Sequence, residues 1–362
     1  VSVLLSTRLE LIGRSAEFQH LVEVLARDGD LLIAGVPGSG RRTLVRSAAK
    51  EVGATILEVD CIRATDGERF LQLLAETISQ NFAPTQIQSW VTQNASEFFI
   101  CHPQQRDGFK VLRSLNQKQL WQAFELLLKL PQQLVENIDK RVVLILNSFP
   151  HIRSWDRNGL WETKLRGEVN QQTQVSYVLI ATIAETSNRF DETNYPLETV
   201  TLVPLAKDVL AVWAREMLHT NSLTFDSRSQ ALQLFLDAVQ GHIGDARALI
   251  RRLQTLCRPD TLIGEQEVQQ AIEGLLKDLS ITFESLVMLL PAHQVHLLEC
   301  LAIDPTDKPQ SKEYIQKHRL SRGGSLQGAI TGLQQKGLIY GNEQGYRLAL
   351  PLLALWLRQR LN

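Results

Sequence analysis

Residues 35–43, Gly-Val-Pro-Gly-Ser-Gly-Arg-Arg-Thr, have the types and spacing to hold a phosphate group. Glycines at 35, 38 and 40 stand between a short apolar run, Leu31 to Ala34, and a helical pattern that follows. This is the layout of the loop G-x-x-x-x-G-K-[ST] in its strand–loop–helix setting. Its glycines let backbone N–H groups converge on an anion, and the helix aims its positive end at the same point. The candidate contacts are Gly35, Pro37, Gly38, Ser39, Gly40, Arg41, Arg42, Thr43 and Leu44.

Two positions depart from the pattern. Arg41 stands where the lysine belongs; its guanidinium is always charged and forks onto phosphate oxygens, but it is bulkier than an ammonium. Arg42 replaces the hydroxyl that holds Mg²⁺, and a guanidinium has donors and no acceptor. Thr43 offers a hydroxyl one residue late, about 100° further round the helix.

The elements that must position this loop follow from apolar patterning. Strand-like runs occur at Leu31–Gly35, Ala54–Asp60, Arg141–Asn147, Ser176–Ile183 and Thr199–Val203. Their near-continuous apolar character suits strands covered on both faces, and their alternation with helical patterns predicts an α/β parallel sheet. The 62–140 segment is long for one crossover. Its helical patterns, Glu68–Gln80 and Gln117–Leu130 around a looser stretch near Cys101–Phe109, predict a helical insertion offering a partner surface. After Pro204, residues 206–219, 227–240, 244–257 and 265–279 predict four helices of a lid, with a start signal at Asp226 and a stop at Gly241. Helices at 292–303, 310–318 and 325–336, then two strands around an Asn/Gly-rich turn, predict a winged helix-turn-helix. The expected units are 1–204, 205–282 and 283–362.

Bulk composition narrows the function classes. The chain has 362 residues, 44% apolar and 21% charged, with net charge −1, so nothing draws it globally toward nucleic acid. No apolar run reaches the roughly 20 residues that span a bilayer, and Val1–Leu5 lacks the basic flank of a signal peptide. The absent initiator Met reads as a fragment or processed form with room for other domains. Cys61, Cys101, Cys257 and Cys300 are dispersed, which predicts buried thiols in a reducing, cytoplasmic setting. Cys101 and His102 are adjacent, so their side chains diverge and do not form a metal pair.

Three further motifs carry a family resemblance: Leu11-Ile-Gly-Arg14 followed by Glu17, Gln174-Val-Ser-Tyr-Val-Leu-Ile-Ala181, and Gly241-His-Ile-Gly-Asp-Ala-Arg247. With the loop and the order of parts, they resemble the AAA+/STAND branch of P-loop ATPases. The likeness is greatest to archaeal-type ATPases with a C-terminal winged helix, over essentially the whole chain. The resemblance implies a P-loop sheet domain, a helical lid and a winged helix, and ATP or ADP as ligand. It places Arg14 near the base or phosphates, with a helix cap or a Glu17 pair as the alternative. It places Thr182 at the sensor-1 position, with a buried strand-end threonine as the alternative. Arg247 becomes the sensor-2 arginine reaching the phosphates, unless it is a solvated helix arginine like Arg251 and Arg252. Arg166 and Arg189 stand where an inter-subunit arginine finger projects.

In that family the third strand ends in Asp-Glu, the first carboxylate holding Mg²⁺ and the second polarising water. Here it ends Leu144-Ile-Leu-Asn147-Ser148-Phe-Pro-His151. Asn147 keeps a carbonyl ligand without charge, and Ser148 is no general base at neutral pH. His151 and Asp156 follow as a substitute base or as a surface loop. Arg41 and Arg42 would then jointly supply the charge of Lys and Mg²⁺, giving binding without the metal and weak or absent hydrolysis. The expectation is a switch or assembly scaffold that self-associates, or meets a protein partner, through the AAA+-like domain. Its rivals are a winged-helix DNA-binding regulator or mobile-element protein with a relic loop, and a slow genuine ATPase using Thr43 and Asn147.

The winged helix leaves DNA and protein contact both open. Its third helix offers Gln327, Thr331, Gln334, Gln335 and Lys336, and the turn Asn342-Glu343-Gln344 is acidic. The basic candidates are Lys317, Arg319, Arg322 and Lys336, with His318 between the first two. From Glu284 onward nine basic residues face six acidic ones, a mild excess for phosphate attraction.

Overall fold

The computed structural model describes residues 11–101, 109–112, 115–136, 140–169, 173–183, 197–321, 323–342 and 345–361. The expectations placed on Val1–Leu5, His102, Arg189, Arg322 and Glu343-Gln344 lie outside the described residues.

Helix α1 (Ser15–Ala26) leads to β1 (Leu31–Gly35), α2 (Arg41–Glu51) and β2 (Thr55–Asp60). Then come α3 (Gly67–Asn81), α4 (Pro84–Asn94), the short strands β3 (Phe99–Cys101) and β4 (Phe109–Val111), and α5 (Gln117–Val135). β5 (Val142–Asn147), α6 (Leu160–Val169), β6 (Val175–Ala181) and β7 (Glu198–Leu202) complete the sheet domain.

The five strands run parallel in the order β2-β5-β6-β1-β7. Every residue of β1, β5 and β6 is buried, as expected of strands with helices on both faces. Each fully buried Leu or Ile among them stabilises the fold by roughly 1.5–3 kcal/mol. Register brings Asp60 beside Asn147 and Gly35 beside Leu202, so the carboxyl ends of the strands finish at one rim. In open parallel sheets that rim is where ligands bind.

All five predicted strands are present within a residue or two of their expected ends. Among its described residues the 62–140 segment is mainly helical, with a two-stranded antiparallel pair, β3 with β4, where the sequence showed only a looser stretch. Those strands are too short for a periodic signal; they form because Phe99 and Phe109 stack edge to face at 5.4 Å in the core.

Beyond the sheet lie α7 (Lys207–His219), β8 (Thr224–Phe225), α8 (Ala231–Val239), α9 (Ile243–Leu256), β9 (Leu262–Ile263) and α10 (Glu265–Met288). They are followed by α11 (Ala292–Ile303), α12 (Lys312–His318), α13 (Gly324–Gln335), β10 (Ile339–Asn342), β11 (Gly345–Leu348) and α14 (Pro351–Leu361). α10 outruns its expected end at 279 because Phe283 and Val287 continue its buried face. It passes through positions 282 and 283, and one apolar cluster runs from Leu205 to Leu357. Lid and winged helix therefore share a core. Among the described residues no helix is long and apolar enough to cross a membrane.

Candidate functional site

A cavity of about 430 Å³ opens where the sheet rim meets the lid. Its walls are Gly38 to Leu44 of the loop and α2, Asp60 and Asn147 from strand ends, Leu11, Ile12 and Arg14 ahead of α1, and Ile243, Gly244 and Arg247 from α9. Of the sequence-predicted site residues, Arg14, Gly38, Ser39, Gly40, Arg41, Arg42, Thr43, Leu44, Asn147 and Arg247 line it. Gly35 lies beneath the loop, where an added Cβ would meet Ser39 Oγ at 2.6 Å. Pro37 turns its carbonyl toward the lid residue His242, at 2.5 Å from Nε2.

The loop is shaped for an anion. Gly38 and Gly40 take φ of +78° and +88°, and Gly40 caps α2 without a side-chain bond. The first N–H groups of a helix have no intrahelical acceptor, and the residues that carry them here, Arg41 to Thr43, line the cavity. Ser39 is buried, and among the described residues its hydroxyl oxygen has no hydrogen-bond partner. An orphaned buried hydroxyl costs about 1–3 kcal/mol, and this one packs against Gly35 beneath the loop, leaving the backbone of the loop to meet an anion. The residues present therefore fit a phosphate group.

The two residues at the expected metal-ligand positions, Arg42 and Asn147, do not fit a resident Mg²⁺. Arg42 Nε pairs with Glu58 Oε1, and Arg46 Nε donates to Glu58 Oε2 at 2.6 Å. The Asn147 amide N–H donates to the same Glu58 carboxylate. Thus the two residues at metal-ligand positions point N–H donors at a shared carboxylate, where a cation would require oxygen lone pairs. Among the described residues no group of three His, Cys, Asp or Glu side chains gathers to hold a metal. Glu58 was missed in the sequence: Arg42 and Arg46, four apart, place two cations on one helix face and so favour an anion nearby, but nothing in the sequence says which.

The remaining candidates divide by their partners. Arg41 donates to the Ala181 carbonyl at the end of β6, across the loop. Arg14 is buried, donating to Glu17 at 2.8 Å and to the Val203 carbonyl, so its guanidinium ties α1 to the end of β7 while bordering the cavity. Arg166 is 4% exposed and bonds Glu162 at 3.2 Å. Burial works against its charge and lowers its pKa, against the opposing pull of Glu162. A side chain so enclosed cannot reach a neighbouring subunit, which corrects its reading as an arginine finger. Asp156 accepts the Leu160 and Trp161 N–H groups at 3.0 and 2.8 Å, which makes it the cap of α6 and not a base. His151 is exposed. In the winged helix Lys317 and His318 both bond Asp304 at 2.7 Å, and these hydrogen bonds hold the Asp304 carboxyl below its ordinary pKa. Arg319 is exposed, and Lys336 donates to Gln294 at 3.1 Å.

Comparison with known proteins gives the class. A family model described as "Probable winged helix domain" matches residues 281–359. The Walker-type ATPase PABY2304 of Pyrococcus abyssi superposes with TM-score 0.67 at 14% identity, covering 97% of each chain. The Aeropyrum pernix ORC2 protein, in its ADPNP–ADP complexes, superposes with TM-score 0.51 at 15% identity, covering 96% of this chain and 95% of that one. No sequence among curated proteins matches. The chain has the P-loop ATPase fold of the AAA+ type, followed by a winged helix.

Proposed function

We propose that this protein binds ATP or ADP in its P-loop without obligatory Mg²⁺, hydrolyses it weakly or not at all, and acts as a nucleotide-dependent switch or assembly scaffold. One observation carries this reading: Arg42 and Asn147, at the two metal-ligand positions, are joined through Glu58. Phosphoryl transfer depends on charge stabilisation and on a group that positions or activates the nucleophile. Arg41 and Arg42 supply positive charge for binding. No carboxylate follows β5 to serve as base, since Ser148 occupies that place. Loss of a single preorganised charge-stabilising group typically costs about 3–4 kcal/mol in the transition state. The site is built to hold a nucleotide more than to cleave it. The open cradle at Gly38 and Gly40, with Arg41 and Arg42 lining the same cavity, favours retained binding over a relic loop.

Titration of labelled ATP in EDTA and in Mg²⁺ tests the proposal. Equal affinities are expected; strict dependence on Mg²⁺ would overturn it. Steady phosphate release abolished by R41A/R42A would instead establish a slow ATPase. For partners, we propose self-association or a protein contact through the sheet domain, with DNA at the winged helix as the second reading. The exposed Arg319 and the mild basic excess favour DNA there, whereas the engagement of Lys317 by Asp304 weakens it. Salt-sensitive retention of duplex DNA, lost in R319A/K336A, would support the DNA reading.

A further inference from the structure

Three parts of the chain meet at His242, whose ring is 4% exposed. Nε2 lies 2.5 Å from the Pro37 carbonyl oxygen, and because a carbonyl only accepts, Nε2 carries the proton. Nδ1 lies 3.0 Å from the backbone N–H and from Oδ1 of Asp245, in the first turn of α9. The other carboxylate oxygen of Asp245 accepts the Leu352 N–H at 3.0 Å, in the first turn of α14. A hydrogen-bonded path thus runs from the phosphate loop, through the start of α9, to the last helix of the winged helix. The winged helix also meets the loop directly. A Cβ on Gly337 would lie 3.2 Å from Thr182 Cγ2 and 3.6 Å from Pro37 Cγ.

We infer that His242 and Asp245 are positioning residues that couple occupancy of the phosphate loop to the seating of the winged helix. Arg247, one turn along the same helix, lines the phosphate cavity. A ligand that engages Arg247 and the Gly38 cradle therefore acts on the helix whose first turn holds both ends of the path. Lid and winged helix already share an apolar core, so cohesion between them does not require this polar chain. Its effect is orientation. Coupling of this kind is reciprocal: a partner that shifts the winged helix changes the affinity of the loop by the same factor. The trigger rests on the nucleotide reading proposed above, whereas the path itself does not.

The test uses the full chain, with ADP in EDTA as the probe and amide hydrogen exchange as the readout, alongside calorimetry for binding. In the wild type, ADP is expected to slow exchange about fivefold or more at the start of α14, a coupling at the low end of the usual range. In D245A, which removes the link to Leu352 and the carboxylate contact with His242 but keeps the backbone N–H to Nδ1, ADP still binds but the slowing at α14 disappears. If ADP binds and α14 does not respond, or responds equally in D245A, the coupling is overturned. If ADP does not bind at all, the nucleotide reading fails, and the path is judged without ligand. There, D245A should speed exchange in the 36–44 loop, and H242A should speed it in both the loop and α14. Unchanged exchange at the far end in either variant overturns the inference.

Discussion

Asn147 at the end of β5 donates its side-chain amide to the Glu58 carboxylate on the neighbouring strand β2, and the same carboxylate pairs with Arg42 at the start of α2. This arrangement joins, through one carboxylate, the two positions whose usual hydroxyl and carboxylate would hold a divalent cation. Arg42 and Asn147 therefore belong to one contact network, with Glu58 as its third member.

If Glu58 and a bound phosphate compete for Arg42, neutralising the carboxylate should favour the phosphate. The expected outcome for E58Q is tighter ATP binding in EDTA, about three- to tenfold, equivalent to roughly 1 kcal/mol. The stability of the free protein should fall slightly, because Arg42 and Arg46 then lose their counter-charge. Weaker binding in E58Q would show that Glu58 positions Arg42 for the ligand, and competition would be ruled out.

Rebuilding the metal site should create a dependence on Mg²⁺ that, on the proposed function, the natural chain lacks. In R42T/N147D a hydroxyl and a carboxylate return to the ligand positions, but Asp at 147 then faces Glu58 with Arg42 gone and Arg46 left on the other carboxylate oxygen. Two carboxylates at hydrogen-bonding range repel unless a cation or proton separates them. The double variant should therefore have a lower thermal midpoint in EDTA than in Mg²⁺, while the wild type shows no difference. A midpoint in R42T/N147D that ignores Mg²⁺ would mean the rim cannot accommodate the ion.

Asp30, at the foot of β1, gives a pH prediction independent of any ligand. Burial raises its pKa to about 7, against the opposing hydrogen bond from the Tyr177 N–H at 2.7 Å. A carboxyl whose folded pKa exceeds its unfolded value contributes stability that is full below the unfolded pKa and lost as pH rises through the folded one. D30N keeps an acceptor for Tyr177 and removes the buried charge. It should be more stable than the wild type at pH 8, by at most roughly 4 kcal/mol at about 1.4 kcal/mol per pH unit between the two pKa values. The advantage should shrink steadily toward pH 5. Urea unfolding at both values checks this, and an advantage independent of pH would refute the assignment to ionisation.

The sheet and loop were legible because their signals are local. Leu31 to Gly35 is an unbroken apolar run ending in glycine, and Asn147 is read directly at the end of another such run. Glu58 and His242 were not legible, because their roles depend on strand register and on how the lid folds back. Nothing near Glu58 in sequence shows that β2 lies beside β5, and nothing near His242 shows that Pro37 lies 2.5 Å from its ring. The arginine-finger reading of Arg166 failed for a related reason: helix position was visible, but its burial against Glu162 was not. Residues that bridge elements are the ones a linear reading loses.

Gly38 offers a steric test of the contact between loop and lid. Its φ of +78° is a conformation that L side chains rarely adopt, and an added Cβ would come within 2.5 Å of His242 Nε2 and 2.6 Å of Cε1. Backbone strain at such a site costs about 1 kcal/mol or more, and overpacking against a buried ring adds roughly 1–3 kcal/mol. G38A should therefore destabilise the protein by about 2–4 kcal/mol and abolish nucleotide binding, since the cradle no longer closes on the phosphate. Truncating the opposing ring removes the steric part alone. In the double variant G38A/H242A the loss should fall short of the sum of the two single losses by about 1 kcal/mol or more, the signature of residues in contact. Strict additivity in urea unfolding would mean that loop and lid do not touch at Gly38, and the hydrogen bond from His242 to Pro37 would then have no part in holding the lid on the loop.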